Sequence, residues 1–209
     1  MSAPAVAPGC TAFVGARRIA SGDLVEVALE AKAIVDEGGS APVLIFDDVS
    51  GELIEVDFRG APAEMLQRLA EQAGRGDGVA QPPQTGESRR GPGRPKLGVV
   101  AREVTLLPRH WQWLGSQPGG ASVALRMLVD EARRANVARD RVRQSQEAAY
   151  RFMSTMAGDA PGFEEAARAL FAGSSMRFSR FVEPWPSDIG DHAKTLASAA
   201  LEEPSGGAA

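Results

Sequence analysis

Cysteine is almost absent from this chain of 209 residues. Cys10 is the only one, which excludes an intrachain disulfide and any multi-cysteine zinc site. Histidine is nearly as scarce. His110 and His192 lie far apart in the sequence, so a histidine-based metal centre would have to recruit carboxylates. Long apolar runs are missing too. The densest, Val43-Leu44-Ile45-Phe46, is strand-sized and far short of the roughly 20 residues a membrane-spanning helix needs. The opening MSAPAVAPGC has neither the basic start nor the apolar stretch of a secretory signal. No nucleophile–base pair, phosphate-cradling glycine loop or metal-ligand spacing stands out. The expectation is a cytoplasmic protein that is not an enzyme, with no metal, no cofactor, no membrane partner and no small-molecule substrate.

What the chain does have is charge, unevenly placed. The net charge of -4 conceals three blocks. From Met1 to Ser88, 6 Lys/Arg stand against 14 Asp/Glu, a net -8. From Arg89 to Arg151 the count is 13 against 5, a net +8, and from Phe152 onward it is 4 against 8, a net -4. A basic block between acidic flanks is the charge footprint of a nucleic-acid-binding segment. It is equally that of a solvated arginine-rich helix paired with an acidic surface.

Residues 11–73 read as an acidic α+β unit of βαββα order. Thr11 to Val14 is the first strand, and Gly15-Ala16-Arg17-Arg18 a turn. Ser21 or Asp23 caps a helix through Leu24, Val27, Ala28, Ala31 and Val35 that stops at Gly38-Gly39. Val43 to Phe46 is a strand, and Asp47 to Gly51 a turn. Ile54, Val56 and Phe58 then alternate with Leu53, Glu55 and Asp57 as a half-exposed return strand. Pro62 opens a second helix to Gln72. The carboxylates Asp47, Asp48, Glu52, Glu55 and Asp57 fit turn support, a solvated face or a docking surface for arginines better than catalysis, because no partner chemistry accompanies them. Residues 74–98 follow as a Gly/Pro-rich linker ending in a basic arm.

That arm, Arg89-Arg90-Gly91-Pro92-Gly93-Arg94-Pro95-Lys96, resembles an AT-hook through Gly93-Arg94-Pro95. The hook's Arg-Gly-Arg-Pro core is broken by Pro92, which stands in the place of the first core arginine. The resemblance implies minor-groove contact with A·T-rich DNA, where the negative potential attracts arginine. Phosphate contact needs only the charge.

From Val99 to Leu107 the residues are β-prone. Pro108 closes that strand and starts a short helix, Arg109 to Gln117, which Pro118-Gly119-Gly120 breaks. Ser122 then caps a longer helix whose Leu125, Leu128, Val129 and Ala132 form an apolar stripe. No Gly or Pro interrupts this helix before about Ala157. Strand, proline, short helix, glycine turn and long helix resemble the ribbon-helix-helix family through Leu107-Pro108, Leu114, Gly119-Gly120 and Leu125-Arg126-x-x-Val129. The resemblance implies a homodimer in which paired strands enter the major groove of duplex DNA. Anchoring on Leu107-Pro108 makes Arg102, Val104 and Leu106 the groove-facing set, and the alternative register presents Glu103 and Thr105. Neither supplies a polar base-reading triplet, so a dimerisation or core module is the competing reading. Trp111 and Trp113 read as packing residues.

Residues 99–157 thus form a ribbon-helix-helix-like segment. Residues 158–201 read as a helical region with Pro184-Trp185-Pro186 as a joint, and 202–209 as a disordered tail. Across its length, through Leu44-Ile45-Phe46-Asp47-Asp48, Gly93 to Gly98 and Arg102 to Trp111, the chain also resembles a bacterial family of unknown function. That resemblance implies a bacterial cytoplasmic protein and no particular activity. The expected fold class is α+β. The expected function is duplex DNA binding by a homodimer, regulatory or architectural, through Arg89, Arg90, Arg94, Lys96, Arg102 and Arg109. The alternative is a non-enzymatic interaction module whose basic helix docks an acidic partner.

Overall fold

The computed structural model describes residues 9–38, 41–76 and 102–202. Nearly all of the expected linker with its basic arm, Val99 to Ala101 of the expected strand, and residues 203–209 of the tail lie outside them. The fold is mixed α+β. Residues 1–76 together with 138–209 make one compact unit, and 77–137 a second.

In the first unit, β1 (Cys10–Val14), β2 (Arg17–Gly22) and β3 (Val43–Asp47) form an antiparallel sheet in the order β2-β1-β3. Helix α1 (Leu24–Asp36) follows β2, and α2 (Pro62–Gly76) follows the segment after β3. The Asp23 carboxylate caps α1 by accepting from the Val25 amide at 2.8 Å. The unit is completed by the second half of α4 (Gly120–Ala157), α5 (Phe163–Phe171), α6 (Ser175–Val182), α7 (Ser187–Leu196) and α8 (Ser198–Leu201).

Both faces of the sheet are covered. Cys10, Ala12 and Ile45 pack with Val27 and Ala31 of α1. Phe13 and Phe46 point the other way, into a core with Phe152, Met153, Leu170, Phe178 and Ile189. Burial on both faces explains why β1 carries no polar alternation.

Two expectations about this unit are corrected. The observed order is ββαβα rather than βαββα, because Arg17 to Gly22, whose first two residues suit a turn, is a strand. Its polar side chains suit a sheet edge, and its register with β1 shifts between Ala12 and Phe13, leaving Ile19 as an extra residue. The expected return strand Leu53–Phe58 is reduced to one bridge, Phe46 to Leu53. Beyond it Val56 and Phe58 pack against the Ala28–Met65–Leu69 cluster, and covering that cluster displaces further pairing.

The β3 turn is held by the Asp47 carboxylate, which accepts from the Val49 and Ser50 amides at 3.0 and 2.7 Å. Arg151 of α4 donates to the Ser50 carbonyl at 2.8 Å. Gly51 closes the turn at φ +68°, and a Cβ there would overlap the Ala148 carbonyl of α4. Left-handed backbone and close approach to a helix both require glycine. Gly51→Ala should therefore lower unfolding stability by about 3 kcal/mol, strain and overpacking combined. A urea titration measures this, and an unchanged midpoint would show that the turn does not seat on α4.

Candidate functional site

Of the residues expected to contact DNA, Arg102 and Arg109 belong to the second unit. Its described part begins with Arg102–Leu107, a segment without regular secondary structure whose last residue, Leu107, is extended. Helix α3 (Pro108–Gly115) starts where Pro108 fits the first turn and the Leu107 carbonyl accepts from the His110 amide at 2.8 Å. Gly119 and Gly120, at φ +82° and +74°, turn the chain into α4. These bounds match the expected short helix, glycine turn and long helix to within a few residues. Among the described residues no regular strand precedes them.

Little of this unit is buried. Leu114 and Ala124 are buried, whereas Val104, Leu107, Trp113, Met127 and Val129 each remain about half exposed or more. Trp111 and Trp113, expected as packing residues, are 44% and 51% exposed. Trp113 lies between two apolar hollows of about 270 and 240 Å³. The first is lined by Leu106, His110, Leu114, Leu125 and Leu128, so Leu106 turns toward the helices. That corrects the groove-facing set of Arg102, Val104 and Leu106 at its last member. Arg102 and Arg109 are exposed. Arg89, Arg90, Arg94 and Lys96 lie outside the described residues.

A polar cluster that the sequence does not announce lies in the first unit. His192 of α7 is buried between Phe13 and Phe152, with ring centroids at 5.5 and 4.6 Å. Its Nε2 stands 3.6 Å from Asp48 Oδ1, just beyond hydrogen-bond reach, and neither atom has another partner. Burial, reinforced by the Arg18 charge, lowers the His192 pKa to about 4. Burial raises Asp48, against the opposing effect of a hydrogen bond from Thr11. The imidazole is therefore neutral at pH 7, and the pair is not an ion pair despite its separation. Cys10 is pushed up to about 11 by burial and then by Asp48, Asp23 and Asp47, so its thiol is protonated at neutral pH. The Asp188 carboxylate accepts from the Arg18 amide at 2.8 Å and ties α7 to β2.

Two other carboxylates of the acidic cluster, Asp57 and Glu52, lie beside arginines. Asp57, held well below the usual carboxylate range by hydrogen bonds from Arg59, also pairs with Arg68 at 3.2 Å. Glu52 lies 3.8 Å from Arg151. Among the described residues no group of three or more His, Cys, Asp or Glu is placed to hold a metal ion, and no helix is long and apolar enough to cross a membrane. Nothing in the sequence marks His192 beyond its being one of two histidines. A side chain from residue 192 meets one from residue 48 through tertiary packing alone.

The sequence profile of the family described as an uncharacterised protein conserved in bacteria (DUF2239) matches residues 9–197. The chain belongs to that family. No curated protein and no solved structure matches it.

The buried imidazole predicts an acid dependence of stability. Above pH 6.5 it is neutral folded and unfolded. Between 6.5 and about 4 the unfolded chain takes up a proton that the folded one refuses, so stability falls as pH falls. The loss approaches roughly 3 kcal/mol at 1.36 kcal/mol per pKa unit. His192→Phe, which keeps an aromatic ring between Phe13 and Phe152, should flatten this part of the profile. Chemical denaturation from pH 7 to 4.5 compares the two, and equal slopes would contradict the assignment.

Proposed function

We propose that this chain is a DNA-binding protein that works as a homodimer, as a transcriptional regulator or an architectural factor. The observation that carries the reading is the second unit's uncovered apolar surface. Residues Arg102–Leu107 carry no regular secondary structure, and Val104, Leu107 and Val129 stay exposed beside a helix pair that buries little else. A segment with exposed apolar side chains would be covered by a second copy packing against it. The order of elements resembles a ribbon-helix-helix unit. Arg102 and Arg109 flank this segment, within the stretch of net charge +8 that also contains the basic arm. Phosphate neutralisation by this block supplies affinity that is sensitive to salt and tolerant of sequence. The partial AT-hook adds a preference for A·T-rich minor grooves.

One observation favours the second reading, a non-enzymatic dimerisation and interaction module whose basic helix docks an acidic partner. Leu106 faces the helices, while Glu103 and Thr105 are exposed. A carboxylate on the groove side would be repelled by phosphate. Direct base readout by residues 102–107 is thus the weakest component, and phosphate contact is the strongest.

Fluorescence anisotropy with A·T-rich and G·C-rich duplexes across a salt series tests the proposal. The wild type should bind with submicromolar affinity. Changing Arg89, Arg90, Arg94 and Lys96 together to Ala should make the log–log salt slope shallower by roughly 0.9 for each phosphate the arm no longer neutralises. An A·T preference abolished in the same variant assigns the arm to the minor groove. Absence of binding at low salt removes the DNA reading and leaves the interaction module.

A further inference from the structure

We propose that the free edge of β3 is a binding site for an extended peptide in which apolar and basic residues alternate. The inference goes beyond the DNA reading and does not rest on it. Every residue it uses belongs to the first unit.

The sheet order β2-β1-β3 leaves β3 with one strand neighbour. On its other side the Ile45 carbonyl accepts from the Ile54 amide at 2.8 Å, and the Asp47 amide donates to the Glu52 carbonyl at 2.9 Å. Backbone groups alternate between the two edges of a strand, so residues 43, 45 and 47 all turn theirs away from β1. The Ile45 N–H and both backbone groups of Val43 make no hydrogen bond on that edge among the described residues. The segment that begins to pair there turns aside after Ile54, because Val56 and Phe58 pack against α1 and α2. A groove of about 610 Å³ opens between that segment and β3, with Gln72 of α2 also lining it. Cavities of this order accommodate a ligand of a few residues. Unpaired strand groups facing such a groove are a template for one more extended chain, the recognition mode of strand addition.

The walls also specify side chains and charge. Val43, Ile45, Ile54 and Val56 all pack in the apolar layer beneath α1. Every second residue of an added strand joins that layer, so those residues are apolar. The residues between them point to the opposite face. Glu55, between Ile54 and Val56, is exposed at the groove and has no ion-pair partner among the described residues. Asp57, the other acid lining the groove, is already held by Arg59 and Arg68. No cation lines it. The uncompensated charge is therefore negative, and the complementary side chain between the apolar ones is Lys or Arg. Opposite charges on neighbouring strands attract and like charges are unfavourable, so the same wall disfavours an acidic peptide.

Amide exchange and peptide titration of the full-length chain, followed by NMR, test this. In the free protein the Val43 and Ile45 amides should exchange freely. The probe is Ac-Thr-Val-Lys-Val-Thr-NH2, with Ac-Thr-Val-Glu-Val-Thr-NH2 as its acidic counterpart. Saturation with the lysine peptide should slow exchange at both amides by about tenfold or more, as bonding into a ladder protects them. The same peptide N-methylated at every residue cannot join a ladder and should leave both amides unprotected. Glu55→Lys should weaken the lysine peptide about tenfold and make the glutamate peptide the tighter of the two. Glu55 is exposed, so the fold is not at stake, and circular dichroism of the variant checks that. Protection of Val43 and Ile45 in the free protein would show the edge already covered and would overturn the inference. So would failure of the lysine peptide to bind, equal binding of its N-methylated form, or a Glu55→Lys variant that keeps the wild-type preference.

Discussion

The contact on which the first unit depends is the aromatic cluster joining the sheet to α4. Phe13 of β1 meets Phe46 of β3 edge-on at 6.0 Å, and Phe152 of α4 approaches both, at 5.4 and 4.9 Å. All three are fully buried. Each ring removes some 150–250 Å² from water, and edge-to-face geometry adds to that area term. Other features of the unit follow from this contact. With α4 drawn against the sheet, the β3 turn must pass so close to Ala148 that only glycine fits at 51. With α7 packed on the same cluster, His192 is enclosed by aromatic rings and keeps its proton off until the medium is strongly acidic.

The second unit inverts this balance. Its described residues bury Leu114 and Ala124 while leaving two tryptophans and several aliphatics near half exposure. A unit this short seldom encloses a sufficient core, and the usual remedies are a metal, a disulfide or a second subunit. Cys10, far from this unit in sequence, is the chain's only cysteine, so an intrachain disulfide is excluded. Exposed Val104, Leu107 and Val129 mark where this unit leaves apolar surface uncovered among the described residues.

Legibility follows the range of the forces involved. Helices are readable because their signals are local: Asp23 as a cap, Pro108 in a first turn, Gly119 and Gly120 at a break, and no breaker between Arg134 and Ala157. Strand β2 is not, since Arg17 to Gly22 is polar and becomes a strand only because β1 offers an edge. Leu53–Phe58 shows the reverse. Its alternation is real, but tertiary packing of Val56 and Phe58 outcompetes the ladder. The Asp48–His192 pair lies beyond reach for the same reason, as 144 positions separate two residues that meet only once the core has formed.

The charge blocks are the clearest long-range signal, and the structure divides them by use. In the acidic part, Asp47 supports a turn, Asp57 holds Arg59 and Arg68, Glu52 lies near Arg151, and Asp48 faces His192. Asp57 and Glu52 thus engage arginines of their own unit, Arg151 among them. In the basic part, Arg102 and Arg109 are exposed and Arg139 has no ion-pair partner among the described residues. Exposed positive charge therefore stands beside exposed apolar surface in the basic part, while the acidic part encloses an apolar core.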